Sequence, residues 1–157
     1  MPLRPETPAA RLSSFLARYA PDIARRTRAI LAGMRKRVPG AVELVYDNYN
    51  ALVIGFGPTE RTGDAPFSIA VYPQWVTLFF LKGARLPDPE GILKGAGSTV
   101  RHVVLSGPED LGRPPIKALM AEAMRRTDPP FDPRAKRRLV VKSVSPKQRP
   151  RRPNARP

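Results

Sequence analysis

The stretch that decides the fold is residues 41–81, AVELVYDNYNALVIGFGPTERTGDAPFSIAVYPQWVTLFFL. Short apolar runs are separated by Asn, Asp, Pro and Gly, a pattern typical of strands joined by turns. The runs predict four strands at residues 41–46, 51–56, 66–72 and 75–81. Because the connections are short, we expect successive strands to pair antiparallel.

A fifth strand is predicted after a long polar loop. Residues 86–105, LPDPEGILKGAGSTVRHVVL, begin with prolines and glycines and end in an apolar run at 99–105. That run carries His102, the only histidine of the chain. The sequence therefore predicts a five-stranded antiparallel sheet.

Helices are predicted on both sides of these strands in the sequence. A short helix opens at Thr7-Pro8, a longer one spans residues 21–37, and a third opens at Pro114-Pro115. Each has apolar residues at helical spacing, and proline suits a first helical position. No helix is predicted between the strands, so the fold class is α+β in two layers. We expect the N- and C-terminal helices to lie on one face of the sheet.

Charge divides the chain into two parts. The net charge is +15, yet the last 25 residues hold ten Lys or Arg and no Asp or Glu. This segment is rich in proline and has few apolar residues, so its burial would not offset the entropy lost on ordering. We predict a domain at residues 7–131 and a disordered basic tail at residues 132–157 that is dispensable for folding.

Composition excludes several classes of protein. The chain has no cysteine, which excludes disulfides, thiolate metal sites and cysteine nucleophiles. No run approaches 18 apolar residues, and residues 1–10 do not read as a signal peptide. We therefore expect a soluble cytoplasmic protein without a membrane partner.

Several segments resemble the YdhG-like family (domain of unknown function 1801). They are LPDPEGILKGAGSTVRHVVL, the preceding AVYPQWVTLFF and the following IKALMAEAMRR, within a similarity that covers about residues 15–126. The resemblance implies a compact helix–sheet–helix domain of frataxin-like architecture. It also implies an alternative function, an intracellular iron-binding chaperone. An acidic ridge of the frataxin type would have to use Glu43 and Asp47, because the long helix is basic. Its cations are Arg25, Arg26, Arg28, Arg35, Lys36 and Arg37.

One candidate site for a small ligand or anion surrounds the fifth strand; its residues are Lys94, Gly95, Gly97, Arg101, His102 and Trp75. The glycines either form a nest of backbone N–H groups for an anion or serve as a flexible connector. His102 either binds an anion or acts as a base, or it is an ordinary strand residue, since no partnered nucleophile is evident. The ligand is unknown, and we predict no catalytic residue, cofactor or metal site.

The tail is the second candidate site. Its predicted nucleic-acid contacts are Arg134, Lys136, Arg137, Arg138, Lys142, Lys147, Arg149, Arg151 and Arg152. Dense cations bind phosphate backbones by releasing counterions, whereas base stacking is not expected because no aromatic residue follows Phe131. The alternative is a solubilising tail. We predict a non-enzymatic binding module with weak, non-specific nucleic-acid affinity, and the cations of the long helix either extend that surface or are merely solvated.

Overall fold

A computed structural model describes residues 6–153, which form three helices and six strands. The helices are α1 (Pro8–Ala17), α2 (Pro21–Arg37) and α3 (Pro114–Arg125). The strands are β1 (Val42–Asp47), β2 (Leu52–Gly57), β3 (Phe67–Val71), β4 (Val76–Phe80), β5 (Arg101–Leu105) and β6 (Arg138–Val144). The α+β fold class is confirmed, and α2 has the predicted bounds.

The strands form one mixed sheet in the order β5-β4-β3-β2-β1-β6. The first five strands pair antiparallel with their neighbours in sequence, as the short connections predict. The sixth strand pairs parallel to β1 at the far edge. The prediction of a five-stranded, purely antiparallel sheet is therefore wrong at this edge.

All three helices pack on one face of the sheet. The main core joins residues of the helices, such as Leu16, Ile30 and Leu119, to alternate strand residues such as Ile54 and Leu78. Burying these side chains supplies the main favourable term for folding. The opposite face carries a second, smaller cluster that includes Val42, Leu44 and Ala65.

The alternation along β1 directs two acids inwards. Val45 belongs to the main core, and side chains two residues apart share a face of a strand, so Glu43 and Asp47 also point towards the helices. Both are almost completely buried. A carboxylate in such a position needs a cation, and the tail supplies two of them, as described below.

The prediction of a disordered tail is wrong for its described part, residues 132–153. β6 pairs with β1 with Glu43 opposite Leu139 and Val45 opposite Val141, and the register shifts by one residue after Val45. Leu139 and Val141 pack against the main core, and backbone pairing continues beyond the strand from Ser145 N to Asp47 O at 2.8 Å. The backbone hydrogen bonds between β6 and β1 and the burial of these two side chains offset the conformational entropy that the tail loses on ordering. Composition alone had suggested that this loss was too large. Residues 154–157 of the predicted tail lie outside the described residues.

A glycine shapes the backbone between α2 and β1. Gly40 follows α2 with a φ of 77°, a left-handed conformation that other residues rarely adopt. A Cβ atom at this position would lie 2.0 Å from the carbonyl oxygen of Asp132. The backbone of the tail thus passes directly over the start of β1.

Across residues 6–153, none of the helices has the length and apolar character needed to cross a membrane.

Candidate nucleic-acid interface

Glu43 joins the tail to α2 near the start of β1. Arg35 of α2 donates to its carboxylate from Nε at 3.0 Å and from Nη2 at 2.8 Å. Arg137 donates from Nη1 to the second oxygen at 2.8 Å. Glu43 has no exposed side-chain surface, so the two guanidinium groups replace its lost hydration.

Asp47 joins the tail to α1 near the end of β1. Arg151 donates from Nη2 to one carboxylate oxygen at 2.9 Å, and Arg18 donates to the other at 3.3 Å. The side chains of Asp47 and Arg151 are 1% and 2% exposed. Gln148 adds a bond from its amide to the Asp47 carbonyl at 2.9 Å and accepts one from Arg18 at 2.6 Å. The tail is therefore held by ion pairs to buried carboxylates at both ends of β1.

Tyr19 lies next to Arg151 and links the ends of β2 and β3. Its hydroxyl donates to the carbonyl of Val71 at 2.7 Å and accepts from the amide of Leu52 at 3.1 Å. The guanidinium of Arg151 lies 5.8 Å from the centre of the Tyr19 ring. Burial raises the pKa of Tyr19 above its usual value.

This geometry does not favour the iron-binding alternative. A metal-binding ridge requires carboxylates that face solvent, whereas Glu43 and Asp47 face the helices and each is paired with two arginines. No cluster of three or more His, Asp or Glu side chains suited to a metal ion occurs within residues 6–153.

Cations from α2 and the tail meet in one groove between α1, α2 and β6. We call it the basic groove; it is lined by Arg28, Arg35, Arg137 and Arg138, with Leu12, Leu16, Leu31 and Leu139 among its apolar residues. Its volume is about 540 Å³. Arg28 and Arg138 belong to elements far apart in the sequence, so only the pairing of β6 with β1 brings them together. Arg35 and Arg137 share Glu43 and Arg138 lies near Glu60, so Arg28 is the one arginine lining this groove that has no ion pair with residues 6–153.

The predicted tail contacts fall into two groups. The first group is engaged with the domain: Arg151 is buried, Arg137 holds Glu43, Arg138 lies 3.4 Å from Glu60, and Lys142 donates to the Glu60 carbonyl. Burial removes Arg151 from the set that can reach a phosphate. The second group is exposed and makes no ion pair with residues 6–153: Arg134, Lys136, Lys147, Arg149 and Arg152.

The second group includes two arginines beside aromatic rings, an arrangement that the sequence did not predict. Leu52 pairs with Val71, so the β1–β2 and β3–β4 turns lie side by side at one end of the sheet. The tail crosses this end, where Arg149 N donates to Tyr49 O at 2.9 Å. We call the resulting cleft the aromatic groove; it is lined by Asn50, Tyr72, Pro73, Gln74, Trp75, Arg149, Pro150, Arg152 and Pro153, with a volume of about 540 Å³.

Two stacked rings form one wall of the aromatic groove. Tyr72 and Trp75 have ring centres 5.0 Å apart and planes inclined by 21°. Trp75 remains 43% exposed, although a tryptophan usually buries most of its surface. Burial raises the pKa of Tyr72 above its usual value. Arg149 lies 5.6 Å from the centre of the Tyr49 ring.

The first candidate site is brought together only in part. Lys94 and His102 exchange two backbone hydrogen bonds of 2.9 Å, and the His102 ring lies against Phe79. Arg101 donates to the carbonyls of Gly97 and Val100 at 2.6 and 2.8 Å, so it supports its own loop. Gly95 has a φ of 123° at the bend of that loop.

Trp75 is separate from this cluster. It precedes β4, whereas Phe79, the partner of His102, lies near the other end of that strand. Four residues of strand span about 13 Å. Trp75 therefore belongs to the aromatic groove and not to the Lys94–His102 loop.

Comparison with known proteins finds no family model, curated protein or solved structure that matches this chain.

Proposed function

We propose that this protein is a non-enzymatic binding module that holds nucleic acid weakly, and with little sequence preference, through the exposed cations of its basic tail. In this proposal the domain is YdhG-like, as the sequence resemblance implies, and the protein is located in the cytoplasm. It assigns no ligand to the Lys94–His102 loop.

The observation that carries the proposal is the ordered path of the tail, which leaves five of its cations exposed and without an ion pair to residues 6–153: Arg134, Lys136, Lys147, Arg149 and Arg152. A disordered tail would spread its charges through solvent, whereas this tail is held on β1 by two buried carboxylates. Fixed cations on one surface can meet several phosphates at once, and each contact releases condensed counterions. By ordering the tail, the pairing of β6 with β1 thus holds the positive charges of the tail in fixed positions, where they can bind phosphates together.

The chemistry of this surface favours backbone over base recognition in a duplex. Its exposed groups are Lys and Arg side chains, which contact phosphates without regard to sequence. The exposed tail cations flank the edge strand β6 and do not belong to a helix that could enter a major groove. We expect a dissociation constant of about 1 µM or weaker at physiological salt.

The test compares two variants with the same change in net charge. The tail variant carries Arg134→Gln, Lys136→Gln, Lys147→Gln and Arg149→Gln, all at exposed positions without ion pairs to residues 6–153. The control variant carries Lys82→Gln, Arg85→Gln, Arg113→Gln and Lys117→Gln, which are exposed in the β4–β5 connection and near the start of α3. Binding to several unrelated duplexes is followed by fluorescence anisotropy.

We expect the tail variant to bind duplexes about tenfold more weakly or worse, and the control variant to bind almost as tightly as the natural chain. Equal losses in both variants would show that only net charge matters and would contradict a defined surface. Marked preference for one duplex would contradict recognition through phosphates alone.

A further inference from the structure

We propose that the aromatic groove binds an unpaired base, so that the protein prefers single-stranded nucleic acid to duplex. This inference rests on the proposed function, because it identifies which form of nucleic acid the same positive surface takes. It assigns a role to Trp75, Tyr72, Arg149 and Arg152.

The first step is the availability of an aromatic face. Trp75 stacks on Tyr72 on one side and remains 43% exposed. The supporting ring and the tight β3–β4 turn hold the indole in place, so little conformational entropy is lost when a ligand stacks on it. Base–aromatic stacking tolerates any base, because every base has a π face.

The second step is the charge beside that face. Arg149 and Arg152 line the same groove. The Arg152 Nε donates to the carbonyl of Arg18 at 3.2 Å, which fixes the direction of its guanidinium while the side chain stays largely accessible. A groove that combines an aromatic platform with cations is the arrangement by which proteins bind single strands.

The third step separates single strands from duplexes and from acidic polypeptides. Bases inside a duplex are stacked on one another and offer no free face, whereas a single strand can turn a base onto a protein side chain. An acidic polypeptide would satisfy the arginines but would leave the indole without a stacking partner. The groove volume of about 540 Å³ lies within the range of small-molecule sites and suits one nucleotide.

The test uses the chain's own fluorescence. Trp75 is the only tryptophan, so its emission reports directly on this groove. The full chain is titrated with a twelve-residue oligothymidylate, with a duplex of the same length and with polyglutamate, all at one salt concentration. We expect oligothymidylate to quench Trp75 and to bind more tightly than the duplex, and polyglutamate to bind without comparable quenching.

Three variants assign the effect to stacking, and because two of them lack the tryptophan, binding to all three is followed by the fluorescence anisotropy of labelled oligothymidylate and labelled duplex. Trp75→Ala is expected to weaken oligothymidylate binding about five- to hundredfold, the cost of one stacked base, and to leave duplex binding unchanged. Trp75→Phe keeps an aromatic face and should retain most of the affinity. Val104→Ala, at a half-exposed position on the other edge strand, is the control and should change neither.

The outcomes distinguish the inference from the proposed function. Equal affinity for single strand and duplex without quenching, together with weakened binding by the tail variant, would overturn the stacking site and leave the proposed function standing. No binding of either nucleic acid would overturn both. Competition by polyglutamate as effective as that by oligothymidylate would overturn the inference and identify an acidic polypeptide as the partner class.

Discussion

The two acids of β1 explain why the tail is ordered. Glu43 and Asp47 each pair with one arginine from a helix and one from the tail. A buried carboxylate without a partner is strongly unfavourable, so each acid selects the conformation in which the tail lies along β1.

Replacement of Arg151 tests this at the level of a single residue. Arg151→Ala leaves Asp47 buried with only Arg18 nearby, and Arg18 is 48% exposed. Breaking a buried ion pair from one side costs about 3–5 kcal/mol, and we expect the lower end because Arg18 remains. The measurement is urea unfolding.

Arg149→Ala is the matched control, since it removes an exposed arginine two positions away. It should change the free energy of unfolding by less than about 0.5 kcal/mol. Similar values for the two variants would mean that the Asp47–Arg151 pair does not hold the tail in solution.

At the scale of elements, local patterns predict the helices and the first five strands but not β6. α2 has its own proline start, apolar face and Pro39-Gly40 end, so its bounds follow from the sequence around it. β6 pairs with a strand that lies nearly the whole domain earlier, and no local pattern encodes a parallel edge pairing. The sequence does contain one signal for β6, the alternation of Glu43, Val45 and Asp47. This alternation places two carboxylates in the core, where each requires a cation from elsewhere in the chain.

The aromatic groove escaped prediction for a similar reason. The absence of aromatic residues after Phe131 argued against stacking, yet the two rings come from the β3–β4 turn, Asn50 from the β1–β2 turn and the arginines from the tail. A site assembled from three separate segments appears only when the order of the strands is known.

Removal of the tail tests the role of β6 as an element. A chain ending at Asp132 lacks β6, Arg137 and Arg151, so both buried acids lose a partner. At about 3 kcal/mol each and roughly 2–4 °C per kcal/mol, we expect the melting temperature to fall by at least about 10 °C. Thermal unfolding followed by circular dichroism measures the change.

The control retains the strand and removes only exposed charge. Lys136→Gln with Lys147→Gln keeps both buried ion pairs and should melt within a few degrees of the natural chain. If the chain ending at Asp132 also melted within a few degrees, the tail would be dispensable for folding, as its composition suggested.

At the scale of the whole molecule, the pairing of β6 with β1 determines which cations of the tail are free to contact phosphates. The tail carries ten of the 28 cations, but the fold uses Arg137 and Arg151 to neutralise buried acids. Of the exposed remainder, Arg149 and Arg152 line the aromatic groove. The number of cations that reach phosphates is therefore smaller than the sequence count.

The salt dependence of duplex binding measures that number. Five exposed tail cations, Arg134, Lys136, Lys147, Arg149 and Arg152, have no ion pair with residues 6–153. If each contacts one phosphate, the slope of log affinity against log salt should be about −4.5, because each contact on duplex DNA contributes about −0.9.

The tail variant retains one of the five cations, so its slope should rise to about −1, while the control variant keeps the steep slope. A slope near −8 or steeper in the natural chain would show that the α2 cations also contact the duplex, and a slope that is the same in both variants would contradict a binding surface centred on the tail.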